Sequence, residues 1–438
     1  MIKKIIFFLF MFFTAIPTYA IDINELNLAF FEKFDDEYLV YYINKAIENN
    51  HSAKQATSRV EQYRREIEYS FGKELPNLSV SANYLGIKVP QLDNFKLKKN
   101  AFVLPFAVNY EADFLLKNRD KTKSAKKSFY ASLYDEKAVY ISLLSDVAAV
   151  YTNILEYDNL LKLSYIDIEI YTGLLNSKIR EYERGTANLT DLNNAYQNLE
   201  NVKNEYEDFK KQREILLMEL AVLTGVSPLE INDFQRGELE TFEYNGILPD
   251  EFESDVIFSR PDVMSVEALL EKAKIDVRVA RKEFLPTFNI TGLWVFNTIA
   301  PGTFFSWESS LAAIFAGAAQ DIFSGGRKIA NLKLQKAKYE EIFEKYRQTD
   351  LDAVKEVNSA LCIIKQDTIV DKNTLKKLDF EYRNFNSAKQ KLNRGVISNS
   401  EYLISRSNLS NIKKEAAKAK TERLIDFFTL YKAVGGKL

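Results

Sequence analysis

The sequence predicts a mainly α-helical protein made of two tandem repeats, each with one helix, two extended strands and a long helical hairpin. Glycine and proline number only 15 and 9 among 438 residues, which disfavours a turn-rich β fold and favours long helices. Apolar residues step by three and four positions, as over 147–161, in the pattern of a coiled-coil seam. Landmarks of the first half also recur in the second: Leu75-Pro76 returns 210 residues later as Leu285-Pro286.

Composition excludes several classes of protein. The chain has one histidine, His51, and one cysteine, Cys362, so a Cys/His zinc cluster or an intrachain disulfide cannot form. Its formal net charge of −2 gives no general affinity for nucleic acid. The sequence shows no nucleophile–base pair and no phosphate-binding glycine loop. We therefore predict no enzymatic activity, no cofactor, no metal site and no nucleic-acid partner.

Residues 1–20 have the pattern of a cleaved secretory signal peptide. Lys3 and Lys4 precede an apolar run over 5–16, and the segment ends at the small residue Ala20. The run is too short for a membrane-spanning helix, which needs about 20 residues. Later apolar runs are shorter still, the longest being 311–319. The sequence therefore predicts an exported protein that could enter a membrane only through β-strands.

The recurring landmarks set the predicted boundaries. Repeat 1 covers 21–225, with strands at about 77–87 and 102–114 and a helical hairpin at about 120–224. A linker rich in Gly, Pro and acidic residues covers 226–255. Repeat 2 covers 256–438, with strands at about 287–297 and 307–322 and a hairpin at about 328–434. Two further landmarks share the offset of 210: Arg184-Gly185 matches Arg394-Gly395, and Gly225 matches Gly435.

The strand segments alternate between apolar and polar residues. Leu78 and Val80 point one way in the first strand while Ser79 and Ser81 point the other. Each segment has about the length that a tilted strand needs to cross a bilayer. A soluble sandwich sheet has the same alternation, so both alternatives stay open on this pattern alone. In a membrane, four strands could not close a barrel, and their open edges would leave backbone groups unpaired. Several chains would then have to share one barrel.

A set of short motifs in a fixed order resembles the TolC-like outer-membrane factor (outer-membrane efflux protein) family over essentially the whole mature chain. The motifs are Glu74-Leu75-Pro76-Asn77-Leu78, Ser259-Arg260-Pro261-Asp262-Val263, Ala280-Arg281-Lys282-Glu283-Phe284-Leu285-Pro286, Phe323-Ser324-Gly325-Gly326-Arg327 and Tyr431-Lys432-Ala433-Val434-Gly435-Gly436.

The resemblance implies a homotrimer in which each chain gives four strands to one 12-stranded β-barrel. The helices would continue the barrel as a periplasmic tube. It also implies a passive exit duct in the outer membrane, partnered by a periplasmic adaptor protein and an inner-membrane transporter in efflux or type I secretion. Two departures stand out: this chain lacks the lipid-attachment cysteine of many members, and Asp321 replaces a usual proline. We therefore expect a protein that is not lipidated and is anchored in membrane lipid by its barrel alone.

The same resemblance implies a gate at the periplasmic hairpin turns, which lie here at Gly185 and Gly395. Six residues beyond each turn stand Asp191 and Glu401. Three chains would place six carboxylates around the entrance, a ring that attracts cations. The family's second acid is absent, and Ile404 is expected to form an apolar plug. The simpler alternative is a solvated acid in a helix's first turn, where the macrodipole favours it.

Aromatic residues near the strand ends are predicted to form membrane girdles. These are Tyr84, Phe102, Tyr110, Trp294 and Trp307. The competing function, from another class, is a secreted coiled-coil scaffold or adhesin whose sheet never enters lipid.

Overall fold

The computed structural model describes residues 26–86, 100–229, 234–249, 251–298, 307 and 310–438. The predicted signal peptide lies outside these residues. The chain divides into two compact units. Unit 1 contains the described parts of 1–57, 136–261 and 351–438, and unit 2 contains those of 58–135 and 262–350.

Nine helices and five strands lie within the described residues. The helices are α1 (Ala29–Glu32), α2 (Glu37–Asn49), α3 (His51–Gly72), α4 (Lys117–Glu183), α5 (Leu189–Leu223), α6 (Ser254–Phe258), α7 (Pro261–Lys282), α8 (Arg327–Asn393) and α9 (Asn399–Ala433). The strands are β1 (Asn77–Val80), β2 (Asn83–Gly86), β3 (Asn100–Glu111), β4 (Thr287–Thr298) and β5 (Ser310–Ala319). The long helices α4 and α8 have 67 residues each, and the return helices α5 and α9 have 35 each. At 1.5 Å per residue, α4 is about 100 Å long.

Unit 2 contains one antiparallel sheet. β1 and β2 both pair with β3, β3 pairs with β4, and β4 pairs with β5. Because directly opposed residues share a face, the register places Tyr84 opposite Phe102 and Phe106 opposite Trp294. We call this side the aromatic face; its large residues are Leu78, Val80, Tyr84, Phe102, Leu104, Phe106, Val108, Tyr110, Phe288, Ile290, Trp294, Phe296 and Ile314. The other side, the mixed face, combines Ser79, Asn83, Asn109 and Thr291 with aliphatic residues and with Phe315 of β5.

The first predicted strand, 77–87, is interrupted at Ser81 and Ala82. The register is the same on either side, since Val80 pairs with Phe106 and Asn83 with Val103. The cause is Pro105, which lies opposite Ser81. Its carbonyl oxygen accepts the Ser81 N–H at 3.1 Å, but proline has no N–H to return. One ladder bond is lost, and the strand divides without slipping.

The strand ends also differ from the predicted ones. The second strand, predicted to reach 114, ends at Glu111 because Asp113 caps α4: its Oδ1 and Oδ2 accept the N–H groups of Lys117 and Arg119 at 2.6 and 2.9 Å. The fourth, predicted to reach 322, ends at Ala319. Ala319 pairs with Thr287, where β4 begins, so later residues have no ladder partner.

Two helices of unit 2 are joined by ion pairs to one buried carboxylate. Asp120 of α4 is only 3% exposed and lies 2.7 Å from Nε of Arg278 and 2.6 Å from Nζ of Lys282, both on α7. These bonds satisfy the buried carboxylate.

Unit 1 has an aromatic and aliphatic core. The predicted seam of α4 is buried at Val147 and Ile154. Phe30 of α1 stacks on Tyr431 of α9 with ring centroids 4.9 Å apart. The predicted linker contains no α-helix between Leu223 and Ser254 in its described part, but it is packed, because Phe242 is 1% exposed.

The helix α4 contains a longer apolar stretch than the sequence analysis predicted. An 18-residue window of α4 has a mean hydropathy of 1.5, enough by length and composition to cross a membrane. Of that window, 61% is buried within the protein, as in the core helix of a soluble domain.

Candidate functional site at the hairpin tips

The turns of both helical hairpins have the same backbone geometry. Gly185 and Gly395 each have a φ of +73°, which glycine adopts without the steric cost that a Cβ brings. After α4, the Thr186 N–H donates to the Glu181 carbonyl at 2.9 Å. After α8, the Val396 N–H donates to the Lys391 carbonyl at the same distance. Both are Schellman motifs, so the sequence-predicted turn glycines lie where the chain reverses.

The two acidic residues beyond the turns belong to capping boxes. The Asn188 side chain accepts the Asp191 N–H at 2.8 Å, and the Asp191 carboxylate accepts the Asn188 N–H at 3.4 Å. The Ser398 hydroxyl accepts the Glu401 N–H at 3.2 Å, and Glu401 Oε2 accepts the Ser398 N–H at 2.8 Å. Sequence reasoning missed this local role, although Asn-x-x-Asp and Ser-x-x-Glu before a helix are its signature.

Capping changes the electrostatics of Glu401. The backbone N–H and then the hydroxyl of Ser398 stabilise the ionised carboxylate, so the pKa of Glu401 is lowered from its ordinary value. The side chain is fully exposed and stays charged at neutral pH.

Ile404 lies one turn beyond the acid on α9 and is 51% exposed. Its neighbour Leu403 is buried against α4 at Gly173. A Cβ on Gly173 would approach Leu403 Cδ1 to 2.8 Å. α9 therefore packs on α4 through Leu403 and leaves Ile404 outward.

The structure does not join Asp191 and Glu401 within one chain. In the described part of the chain, no hydrogen bond or ion pair connects them, and each carboxylate bonds to its own cap residue. A ring of these acids would have to come from the association of several chains.

A buried lysine ties three helices of unit 1 together. Lys414 Nζ of α9 lies 2.8 Å from Asp167 of α4 and 2.8 Å from Glu205 of α5. The side chains of Lys414 and Asp167 are 9% and 3% exposed. Two weaker contacts run from α9 to α4: Arg406 to Glu169 at 3.6 Å and Ser407 to Tyr171 at 3.4 Å. The apolar periodicity gave no sign of this buried charge.

The predicted girdle residues take different positions on the sheet. Tyr84 and Phe102 lie opposite each other near one end, with ring centroids 5.2 Å apart. Tyr110 lies near the other end of β3, paired with Ile290. Trp294 pairs with Phe106 and Ala312 in the middle of its strand. Trp307 lies before β5 and is 78% exposed.

Comparison with known proteins identifies the family. The family model described as outer membrane efflux protein matches twice, at 42–226 and 254–436. The chain is 23% identical over 435 residues to the probable efflux pump outer membrane protein TtgC of Pseudomonas putida, covering 96% of this chain and 87% of that one. It is 22% identical over 428 residues to the cation efflux system protein CusC of Escherichia coli, covering 94% and 90%.

Solved structures share the fold. The CmeC outer membrane channel of Campylobacter jejuni aligns with a TM-score of 0.85 and 25% identity, covering 94% of this chain and 88% of that one. The open state of the MtrE outer membrane channel of Neisseria gonorrhoeae aligns with a TM-score of 0.80 and 22% identity, covering 91% and 89%. With the family model matching both halves, the chain belongs to the outer membrane efflux protein family.

Proposed function

We propose that three copies of this chain form an outer-membrane channel, the exit duct of a tripartite efflux or type I secretion system. The duct is a passive conduit from periplasm to exterior and is gated at the hairpin tips. The proposal rests on the open, apolar sheet of the single chain. Apolar side chains are exposed on its aromatic face. Among the described residues, no further strand pairs with either edge of the sheet, which is formed by β1 and β2 on one side and by β5 on the other.

Unpaired strand edges argue for shared closure. In hydrocarbon, each unsatisfied N–H or C=O costs several kcal/mol, so a membrane sheet must close on itself. β1 and β2 together form one broken strand, so each chain supplies four strands. Four are too few, since membrane barrels begin at about eight. Three chains give twelve, an even number within the known range.

The aromatic face has the dimensions of a lipid-facing surface. Phe102 and Tyr110 are eight residues apart on β3, a distance of about 27 Å at 3.4 Å per residue. Tilted by about 40°, this span measures about 21 Å along the membrane normal, close to the ~25 Å apolar band of such barrels. Tyr84, Phe102 and Tyr110 therefore fit the interfaces, while the central Trp294 fits the acyl region.

Exposed seam residues on α8 support oligomerisation. Leu375 and Tyr382 have coiled-coil spacing, yet they are 52% and 41% exposed in the single chain. Ile369 and Phe380 of the same helix are 54% and 60% exposed. Neighbouring chains in a helical tube would cover these side chains.

The double family match supports a tandem repeat. It spans 42–226 and 254–436, and the equal lengths of α4 and α8 and of α5 and α9 follow the same division. We therefore keep the proposed limits of 21–225, 226–255 and 256–438.

The gate proposal rests on the matched positions of Asp191 and Glu401 in the two capping boxes. In a trimer, six carboxylates would attract cations at the entrance, and the exposed Ile404 would supply an apolar ring beside them. Capping and pore lining are compatible, because a capping carboxylate keeps its charge.

Membership of this family of channel proteins favours the duct over a secreted scaffold or adhesin. It also favours a periplasmic adaptor and an inner-membrane transporter as partners, with the protein in the outer membrane. We propose cleavage after Ala20 and no lipid anchor, because the one cysteine, Cys362, lies far along the chain on α8.

The test is the state of the protein in cells. Expressed in a Gram-negative host, it should sediment with the outer membrane and migrate in gels as a trimer that heating converts to monomer. Recovery as a soluble periplasmic or secreted monomer would overturn the channel and favour the scaffold.

A further inference from the structure

We propose that Asp367 of α8 and Asp426 of α9 hold one proton between them and act as a pH-sensitive latch between the two helices of the second hairpin. The proposal concerns the packing of unit 1 and does not depend on the channel function.

The pair is one rung in a regular series of charged contacts between α8 and α9. Lys377 Nζ lies 2.6 Å from Glu415 Oε1, and Asp371 Oδ2 lies 2.9 Å from Arg423 Nε. Asp367 lies four residues before Asp371 on α8, and Asp426 lies three residues after Arg423 on α9. The carboxyl groups of Asp367 and Asp426 lie against each other. The antiparallel helices therefore oppose unlike charges at two rungs and like charges at the third.

Burial makes this like-charge rung different from a surface pair. Asp426 Oδ2 is enclosed and has no hydrogen-bond donor among the described residues, and Asp426 as a whole is half-buried. An enclosed carboxylate oxygen without a donor is costly when ionised. A proton on one carboxyl removes the charge conflict and supplies an O–H···O hydrogen bond between the helices.

The surrounding groups do not neutralise the pair. Arg423 is engaged by Asp371 and by Glu243, and Lys420 also binds Glu243. Glu422, one turn before Asp426 on α9, adds a negative charge. On α4, Glu156 interacts with Lys418 and Glu422. Among the described residues, no ion pair reaches Asp367 or Asp426.

Asp426 titrates near neutral pH. Burial, followed by the hydrogen bond and charge of Asp367 and the charge of Glu422, raises the pKa of Asp426 to about 7. The ionised fraction of Asp426 then rises from about one tenth at pH 6 to about nine tenths at pH 8. At pH 6 the shared proton joins α8 to α9, and at pH 8 two carboxylates repel each other at the same rung.

Hydrogen–deuterium exchange of the purified full-length protein tests the latch. Peptides from 360–372 and 420–430 are followed at pH 6 and pH 8, with rates corrected for the intrinsic exchange at each pH. We expect corrected exchange in the wild type to be about ninefold faster at pH 8, in line with the ionised fraction. Equal corrected rates at the two pH values would overturn the proposal.

Substitutions identify the groups responsible. In Asp426→Asn, the amide N–H donates to Asp367 at every pH, so the pH dependence of both peptides should disappear. Asp367→Asn should do the same from the other side and serves if the first variant does not fold. The control Asp379→Asn changes an exposed acid of α8 that pairs with Arg383 on the surface, so it should keep the wild-type response. Persistence of the response in the Asp426 and Asp367 variants would refute the latch.

A bound divalent cation is the competing occupant. It would protect both peptides at pH 8, and EDTA would remove that protection. This result would also overturn the shared proton.

Discussion

Lys414 offers the sharpest test of how the second hairpin is held to the first. Its ammonium bridges Asp167 and Glu205, so one side chain of α9 is bonded to α4 and α5. The substitution Lys414→Met keeps a stem of similar length and removes only the charge and its bonds. Asp167, with its side chain 3% exposed, is then left as a buried carboxylate without its cation.

The expected cost follows from burial. Removing one partner of a buried ion pair typically costs about 3–5 kcal/mol, because the remaining charge stays desolvated. Glu205 is 41% exposed and can recover water, so its bond adds at most about 1 kcal/mol. We therefore expect the substitution to lower the free energy of local opening of α9 by about 3 kcal/mol. This corresponds to roughly a 150-fold increase in the opening equilibrium constant.

Hydrogen exchange of peptides covering 408–420 measures this opening directly. Exchange in Lys414→Met should be roughly a hundredfold faster than in the wild type, and Asp167→Leu added to it should restore most of the protection. The matched control is Lys377→Met, which removes a pair with Glu415 that is about half exposed on both sides and is worth under about 1 kcal/mol. If the two lysine variants behave alike, the buried bridge does not hold α9.

Other predictions concern the tips. Gly395→Ala should destabilise the turn by about 1 kcal/mol, because the φ of Gly395 is +73°. Hydrogen exchange around 391–399 should therefore be faster in this variant. The control Gly72→Ala places its Cβ in open space at a position without a positive φ, so exchange around residue 72 should not change. Alanine at both Asp191 and Glu401 should reduce cation block or selectivity in planar bilayers; unchanged conductance would place these acids away from the pore. Ser398 lowers the pKa of Glu401 from its ordinary value of 4.5. The capping box therefore stabilises α9 fully above pH 4.5, and this stabilisation is lost as the pH falls through the lowered pKa of Glu401. Ser398→Ala should abolish this acid-side loss of protection at the start of α9, and its persistence would contradict the capping role.

Much of the architecture follows from periodicity. Spacing by three and four predicted the buried seam of α4 at Val147 and Ile154, and both are buried. Alternation with period two assigned Leu78 and Val80 to one face of the sheet, and the register agrees, because they pair with Val108 and Phe106 on β3. These patterns are local, so they can be recognised in one sequence.

Features that depend on distant partners were missed. The interruption of the first strand requires knowing that Pro105 lies opposite Ser81, about two dozen residues later in the chain. The Lys414 bridge and the opposed carboxyls of Asp367 and Asp426 depend on helix register, which the apolar pattern of a single helix does not fix. The capping boxes are different, because Asn-x-x-Asp and Ser-x-x-Glu are local motifs that can be recognised in the sequence. Only their capping role was missed.

The measurement that tests the central claim most directly is cross-linking of the two outer strands. In a Cys362→Ser background, one cysteine replaces Ser79 on β1. In a series of separate variants, a second cysteine replaces each residue of β5 from 311 to 319 in turn. If three chains complete one barrel, some of these double variants will form covalent trimers in the outer membrane, and single-strand variants will not. Monomers at every position, with both cysteines reactive to a water-soluble maleimide, would contradict the account.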